Sequence, residues 1–369
     1  GSAPGPGSLG LIVLHGDGGT GKAQDLHKDL DARQRLAGVF PAKPVIGDDV
    51  RLTFGSIDND SIYFADAGAF EHIEGLTEEG VEALQDKDLS QARRIMAQCE
   101  EMGIGLVAFG DAQYPSRLKY IADPPMVLYY KGKLPDFGKT AAVGVVGTRK
   151  ASAYGMTSAK RLGYQIGKSG GIVVSGMAYG IDGMATRGAL TAGTPAVGIL
   201  GCGADVVYPP SNRGLFEDME QYGCLLSEFP PETPPYKWNF PKRNRIISGL
   251  CNGVLVVEAP ARSGALITAR QALEQGRDVY VVPANIDMPS CAGSNALLGD
   301  GAAAVFSGWD ILKVYAPQYP DTVKRVTDDK PQPILHVAQP VENPAADKKD
   351  IDRVRDFLKS NGIFDNEDL

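Results

Sequence analysis

The sequence predicts an α/β fold: a doubly wound, mainly parallel sheet with a small N-terminal region and a short C-terminal helical tail. Three observations predict it. From Thr140 onward, β-branched apolar runs alternate with glycine-bearing turns and amphipathic segments of roughly fifteen residues, the pattern of βα units. Most of the runs are too continuously apolar to leave one face in water, as expected of strands covered on both faces by helices. At 369 residues and 43% hydrophobic, the chain has the length and composition for one large core plus one or two small domains.

Along the chain, Gly1 and Ser2 read as a tag-cleavage scar and residues 3–8 as a flexible Pro/Gly lead. The string Gly16, Asp17, Gly18, Gly19, Thr20, Gly21, Lys22 imitates a phosphate-binding loop. Ala23 occupies the position whose hydroxyl would hold magnesium, and no βα repeat follows, even with 61–66 cast as the acidic strand, so no working nucleotide site is expected there. Residues 1–90 are assigned to the small N-terminal region. A helix over Ser90–Glu101, with Ala92, Ile95 and Met96 as its apolar contacts, leads into a core domain spanning 91–315. Strands are expected at 140–147, 171–176, 195–201, 224–229, 253–259, 278–284 and 302–306. The proline-bearing polar stretch 316–346 reads as a linker, and 347–369 carries an amphipathic helix with Ile351, Val354, Phe357 and Leu358 spaced for burial.

In a parallel sheet, ligands gather at the carboxyl ends of the strands near the point where strand order reverses. The unusual residues fall there. Gly147, Thr148 and Arg149 close the first strand of the repeat and precede Ser152, which reads as a helix N-cap. Ser175 and Gly176 close the second, where small residues let backbone N–H groups approach a ligand. Ser263 and Gly264 open a helix beyond Glu258. Phe240, Lys242, Arg243, Asn244 and Arg245 set three cations and an amide at the entrance of an apolar helix, whose unpaired N–H groups favour anions. Structural glycine packing and a solvated charge run are the competing readings. Several such turns on one edge, together with the cations, favour a phosphate or nucleic-acid backbone site.

These motifs resemble those of the DprA (Smf) family of bacterial DNA-processing proteins. Gly147, Thr148, Arg149, Ser152, Tyr154 and Gly155 are similar to its first signature. Ser175, Gly176, Ala178, Gly180, Ile181 and Asp182, with Gly188, Ala189 and Leu190, are similar to its second. Tyr208, Pro209, Asn212, Ser227, Glu228 and Pro230 follow in family order, and Phe240 to Leu250 resembles the family's most distinctive stretch. Tyr114, Pro115, Leu118 and Asp123 to Pro125 match the lead-in, so the resemblance covers about 91–312. Two departures stand inside it: Thr186 where a histidine is expected, and Ala284 where the strand usually ends in glycine.

The resemblance implies a Rossmann-like domain that binds single-stranded DNA and helps load the RecA recombinase onto strands covered by single-strand-binding protein. It also implies a homodimer and no catalysis. Some family members end in a winged-helix domain, whose first helix 347–369 would be. On this reading Arg149, Lys242, Arg243 and Arg245 hold phosphates while Asn244 or backbone N–H groups fix register. Three or four contacts would give a log–log salt slope of roughly two to three. Tyr236, Trp238 and Phe240 either stack on bases or pack over the sheet edge.

Net charge of -8 and pI near 5.2 describe an acidic protein, so binding would be local to a concentrated basic pocket. No run approaches the roughly 20 apolar residues of a membrane span, which makes cytoplasmic the expected location. Cys99, Cys202, Cys224, Cys251 and Cys291 lack metal-binding spacing and only four histidines accompany them, so no metal or cofactor is expected. The competing function class is a nucleotide enzyme such as a nucleoside monophosphate phosphoribohydrolase, with Glu258 and Glu274 flanking residues 263–268. Against that stands the reading of Glu258 as a strand-end carboxylate pairing Arg243 or Arg245. A non-binding scaffold is the remaining class.

Overall fold

A computed structural model describes residues 88–326. The phosphate-loop-like string at 16–22 and the C-terminal helix expected at 347–369 lie outside the described residues, as do most of 1–90 and the linker beyond 326. The chain divides into two units. Among the described residues, 88–98 and 108–110 belong to the first, and 99–107 with 111–326 to the second.

In the first unit most of helix α1 (Ser90–Glu101) is found, with the bounds the sequence predicts. Its start is explained locally: the Asp88 carboxylate accepts from the Ser90 N–H and hydroxyl, both at 2.8 Å.

Apart from Ala108 at the end of its first strand, a nine-stranded sheet belongs to the second unit. Its strands are β1 (Gly105–Ala108), β2 (Val127–Gly132), β3 (Ala142–Val146), β4 (Ile172–Ser175) and β5 (Ala196–Ile199), then β6 (Cys224–Ser227), β7 (Gly253–Val256), β8 (Asp278–Val281) and β9 (Ala303–Ala304). Helices α2 (Ala153–Lys168), α3 (Ile181–Thr191), α4 (Arg213–Tyr222) and α5 (Asn239–Leu250) intervene, followed by α6 (Gly264–Glu274), α7 (Ala292–Gly299) and α8 (Gly308–Tyr315). The order is β1-β2-β6-β5-β4-β3-β7-β8-β9, with β2 and β6 antiparallel and every pairing from β6 to β9 parallel. Register places Val143 beside Val173 and Val145 beside Leu255. The chain therefore builds outward from β3 to β6, then crosses back to β7 on the other side of β3. Strand order reverses between β3 and β7, and the carboxyl ends of these strands form the crest where ligands of such sheets bind.

All seven predicted strands are present, each shorter than expected. Strands β3 to β7 are buried at every position, which is why they read as continuous apolar runs. The added finding is β1 and β2, in a segment the sequence reading treats only as a lead-in. Serines start three helices: Ser152 accepts from Gly155 N–H, Ser263 from Ala265 N–H, and Ser307 forms a capping box with Asp310.

The core joins inward side chains of strands and helices, among them Val143, Leu162, Ile166, Ile181, Leu215, Leu255 and Ile311. Each such fully buried aliphatic side chain contributes about 1.5–3 kcal/mol relative to exposure. Helices α2 and α3 meet without side chains at two points. A Cβ at Gly163 would run into the Ala185 carbonyl, and one at Gly188 into the Lys160 carbonyl. This close crossing holds the loops preceding both helices side by side at the crest.

Candidate nucleic-acid interface

The ends of β3, β4, β5 and β7 build the crest. After β3, Thr148 N–H donates to the Glu258 carbonyl at 2.7 Å, and the Thr148 carbonyl accepts from Ile181 N–H at 3.4 Å. Gly180, at φ +73°, lies so close that a Cβ would meet the Thr148 and Arg149 carbonyls at 2.5 and 2.8 Å. Gly147 is equally confined, by Ile181 and the Glu258 carbonyl. This loop is pinned by its backbone while the Arg149 side chain is exposed, its guanidinium 5.4 Å from the Phe240 ring centroid. After β4, the Ser175 hydroxyl donates to the Val145 carbonyl at 2.7 Å and Gly176 N–H donates to Asp182 at 3.1 Å. Both groups are engaged inside the protein.

Helix α5 lies over the ends of β4 and β5. Asn239 anchors its start by donating from Nδ2 to the Gly201 carbonyl at 3.0 Å. Phe240 is half-buried, its ring against Gly201 and 5.4 Å from that of Tyr208. The helix begins at Asn239, so the cationic run forms its first turns rather than a loop before it. Successive residues on a helix diverge by about 100°, which sends these side chains to different destinations.

Arg243 points inward and is only 4% exposed. It donates to the Gly176 carbonyl at 2.9 Å and to the Ile199 carbonyl, and its Nε is buried with no hydrogen-bond partner among the described residues. Burial lowers its pKa to about 10 against the opposing pull of Asp182. Arg245 forks onto Glu228, at 2.7 Å from Nη1 and 2.6 Å from Nη2, and its Nε reaches Asp123 Oδ2 at 3.0 Å. These two guanidiniums, expected to hold phosphates, are committed to the protein itself. Lys242 is exposed, and Asn244 is half-buried with its carbonyl accepting from the Ser248 hydroxyl at 3.3 Å. Lys237, just before the N-cap Trp238, is also exposed. It lies outside the cationic run that the sequence singles out, although a lysine beside a helix start is a legible signal. Tyr236 and Trp238 stack on each other rather than on the sheet edge.

Ser263 caps α6, and Gly264 is exposed with open space around it. Glu258 is fully buried, and its carboxylate accepts from Ser152 N–H at 3.1 Å and from the Ser152 hydroxyl at 2.8 Å. It bonds neither Arg243 nor Arg245, correcting the pairing anticipated above; Glu228 is the partner of Arg245. The Glu258 carboxylate also occupies the space a Cβ at Gly155 would take. The Glu258 side chain thus fills the N-terminus of α2 beside the β3/β7 reversal. Glu274 is exposed on α6. Thr186 is buried and donates to the Asp182 carbonyl at 2.9 Å, and Ala284 exchanges hydrogen bonds with Asn295. Neither departure from the expected motifs touches an exposed cation.

All five cysteines are buried, and burial raises the Cys202 and Cys251 thiols to about 12. Among the described residues no cluster of His, Cys, Asp and Glu could hold a metal ion, and no helix is long and apolar enough to cross a membrane.

The sequence matches the family described as DNA recombination-mediator protein A over residues 105–316. It is 44% identical over 220 residues to the DNA processing protein DprA of Bacillus subtilis (strain 168), covering 60% of this chain and 74% of that protein. The solved structure of DNA processing protein A from Streptococcus pneumoniae aligns with a TM-score of 0.57 at 36% identity, over 63% of this chain and 81% of that one. The Helicobacter pylori DNA processing protein A, solved for its single-stranded DNA binding mode, aligns with a TM-score of 0.53 at 27% identity, over 58% and 97%.

Proposed function

Because this chain belongs to the DNA recombination-mediator protein A family, we propose that it binds single-stranded DNA at the carboxyl edge of its sheet and assists RecA loading onto strands covered by single-strand-binding protein. The observation that carries the reading is the Arg149 guanidinium standing over Phe240. It brings the β3 loop and the first turn of α5 together at one exposed, cationic edge. Arg149, Lys237 and Lys242 contact phosphates from there. Gly147, Thr148, Ser175 and Gly176 shape the loops, and Arg243 and Arg245 hold α5 in place rather than touching the strand. Ser263, Gly264 and Asn244 lie further along the same edge and set its rim. The relative from Helicobacter pylori, solved for a single-stranded DNA binding mode, supports the choice of ligand.

The acidic net charge makes the edge a local receptor, so affinity depends on doubling it in a homodimer. Expected partners beyond DNA are RecA and single-strand-binding protein, in the processing of DNA during natural transformation and recombination inside the cytoplasm. Catalysis is not part of the proposal: Glu258, the carboxylate the enzyme alternative needs, is sealed against Ser152.

Fluorescence anisotropy of a labelled single strand against wild type, Arg149→Ala and Lys242→Ala, across a salt series, tests the site. Loss of affinity with a shallower salt slope in both folded variants is the expected result. Absence of wild-type binding at low salt would overturn the proposal. RecA filament formation on strands covered by single-strand-binding protein, with and without this chain, tests the loading role, and no acceleration would remove it.

A further inference from the structure

We infer that Tyr236 and Trp238 form a base-stacking platform that selects single strands over duplex, next to the phosphate contacts of Arg149, Lys237 and Lys242. This rests on the DNA-binding reading above and adds the part of the ligand that the cations do not recognise.

The two rings are nearly parallel, 4.7 Å apart between centroids and tilted by 7°. Trp238 is nonetheless 70% exposed and Tyr236 44%. One indole face is covered by Tyr236, so this exposure leaves the opposite face in water. An aromatic pair that served only packing would turn its larger ring inward. Phe240 offers no such face: Arg149 and Arg243 lie 5.4 and 5.9 Å from its centroid, and Tyr208 and Gly201 close its flanks.

The pair is held before any ligand arrives. It follows two proline pairs, Pro230–Pro231 and Pro234–Pro235, which restrict the backbone. Thr233 bonds back to the Pro230 carbonyl at 2.7 Å, Tyr236 N–H donates to Pro234 at 2.8 Å, and Asn239 N–H donates to Tyr236 at 3.0 Å. Trp238 is the N-cap of α5, whose next residue is anchored to Gly201. A preformed ring stack loses little conformational entropy on binding. Exposed Lys237 sits between the two aromatics in sequence, and exposed Lys242 follows one turn later. A planar face flanked by cations matches a base with its neighbouring phosphates, and only an unpaired strand can offer a free base face.

The chain has two tryptophans, and Trp309 is packed against the core, so Trp309→Phe leaves Trp238 as the single reporter. The probes are an oligothymidylate, an abasic strand with the same number of phosphates, and a duplex of equal length. Oligothymidylate is expected to quench Trp238 emission, while the abasic strand and the duplex leave it unchanged. Trp238→Ala should weaken oligothymidylate binding roughly fivefold or more, and Trp238→Phe should retain most of the affinity. Binding of the abasic strand should be the same in all three, which also verifies that the variants are folded. If oligothymidylate binds without quenching and Trp238→Ala binds it as wild type does, the platform is refuted while the DNA-binding reading stands. If wild type binds no strand even at low salt, both fall together.

Discussion

Replacing Arg245 by methionine removes a guanidinium that the sequence counts among the phosphate ligands and the structure commits to Glu228. The two side chains are 11% and 9% exposed, joined by bonds of 2.7 and 2.6 Å, with Asp123 a further acceptor at 3.0 Å. Methionine preserves bulk but leaves the Glu228 carboxylate buried without its partner, a loss of about 3–5 kcal/mol. Replacing Glu228 by methionine as well removes the stranded charge and should restore much of the stability. Lys242→Ala should do the opposite. Its exposed side chain leaves stability within about 0.5 kcal/mol. With Arg149, Lys237 and Lys242 each neutralising one phosphate, the log–log salt slope for single-stranded DNA is about two per protomer, and losing Lys242 lowers it by about 0.7. Urea unfolding reads the stability, and anisotropy titrations across salt read the slope for wild type, Lys242→Ala and the folded double variant. The double variant should keep the wild-type slope. A slope lowered equally by the Arg245/Glu228 replacement and by Lys242→Ala would refute the division of the cations into structural and ligand-facing sets.

Gly201→Ala places a methyl 2.8 Å from the Phe240 ring, so the ring must leave its place beside Arg149. DNA affinity is expected to fall by about 1 kcal/mol with little change in circular dichroism, and unchanged affinity would remove Phe240 from the site. Gly163→Ala or Gly188→Ala drives a methyl into the facing helix backbone and should destabilise by about 3 kcal/mol, read by thermal unfolding; a cost below about 1 kcal/mol would show that α2 and α3 can separate freely. Burial pushes the Asp182 carboxyl up to about 6, against the opposing pull of Arg243, of the Ala178 and Gly176 N–H groups and of Arg149. The folded state then holds its proton between the unfolded value of 3.8 and about 6, so stability falls as pH rises through that window and is level above it. Asp182→Asn should lack this segment of the pH dependence in urea unfolding; identical profiles for both proteins would contradict it.

Continuous apolar runs determine the strands from β3 to β8, because nearly all their residues are buried and carry that burial in their own chemistry. The serines at 152 and 263 announce their helices for an equally local reason: a cap bonds an N–H two or three residues away. Strands β1 and β2 escape such a reading because they pair at the sheet edge. In β2 the apolar half, Val127 to Tyr129, is followed by half-buried and exposed residues. In the segment 237–245 the sequence establishes that cations crowd a helix start. It does not establish which of them face water, since neighbouring helical residues point in different directions and their partners come from elsewhere. Arg245 meets an acceptor 17 residues away and another 122 residues away, and Arg243 meets the ends of two strands. Only the tertiary structure decides that these two guanidiniums lock the helix down while Arg149, Lys237 and Lys242 stay exposed, because the deciding acceptors are brought to α5 by the packing of the sheet.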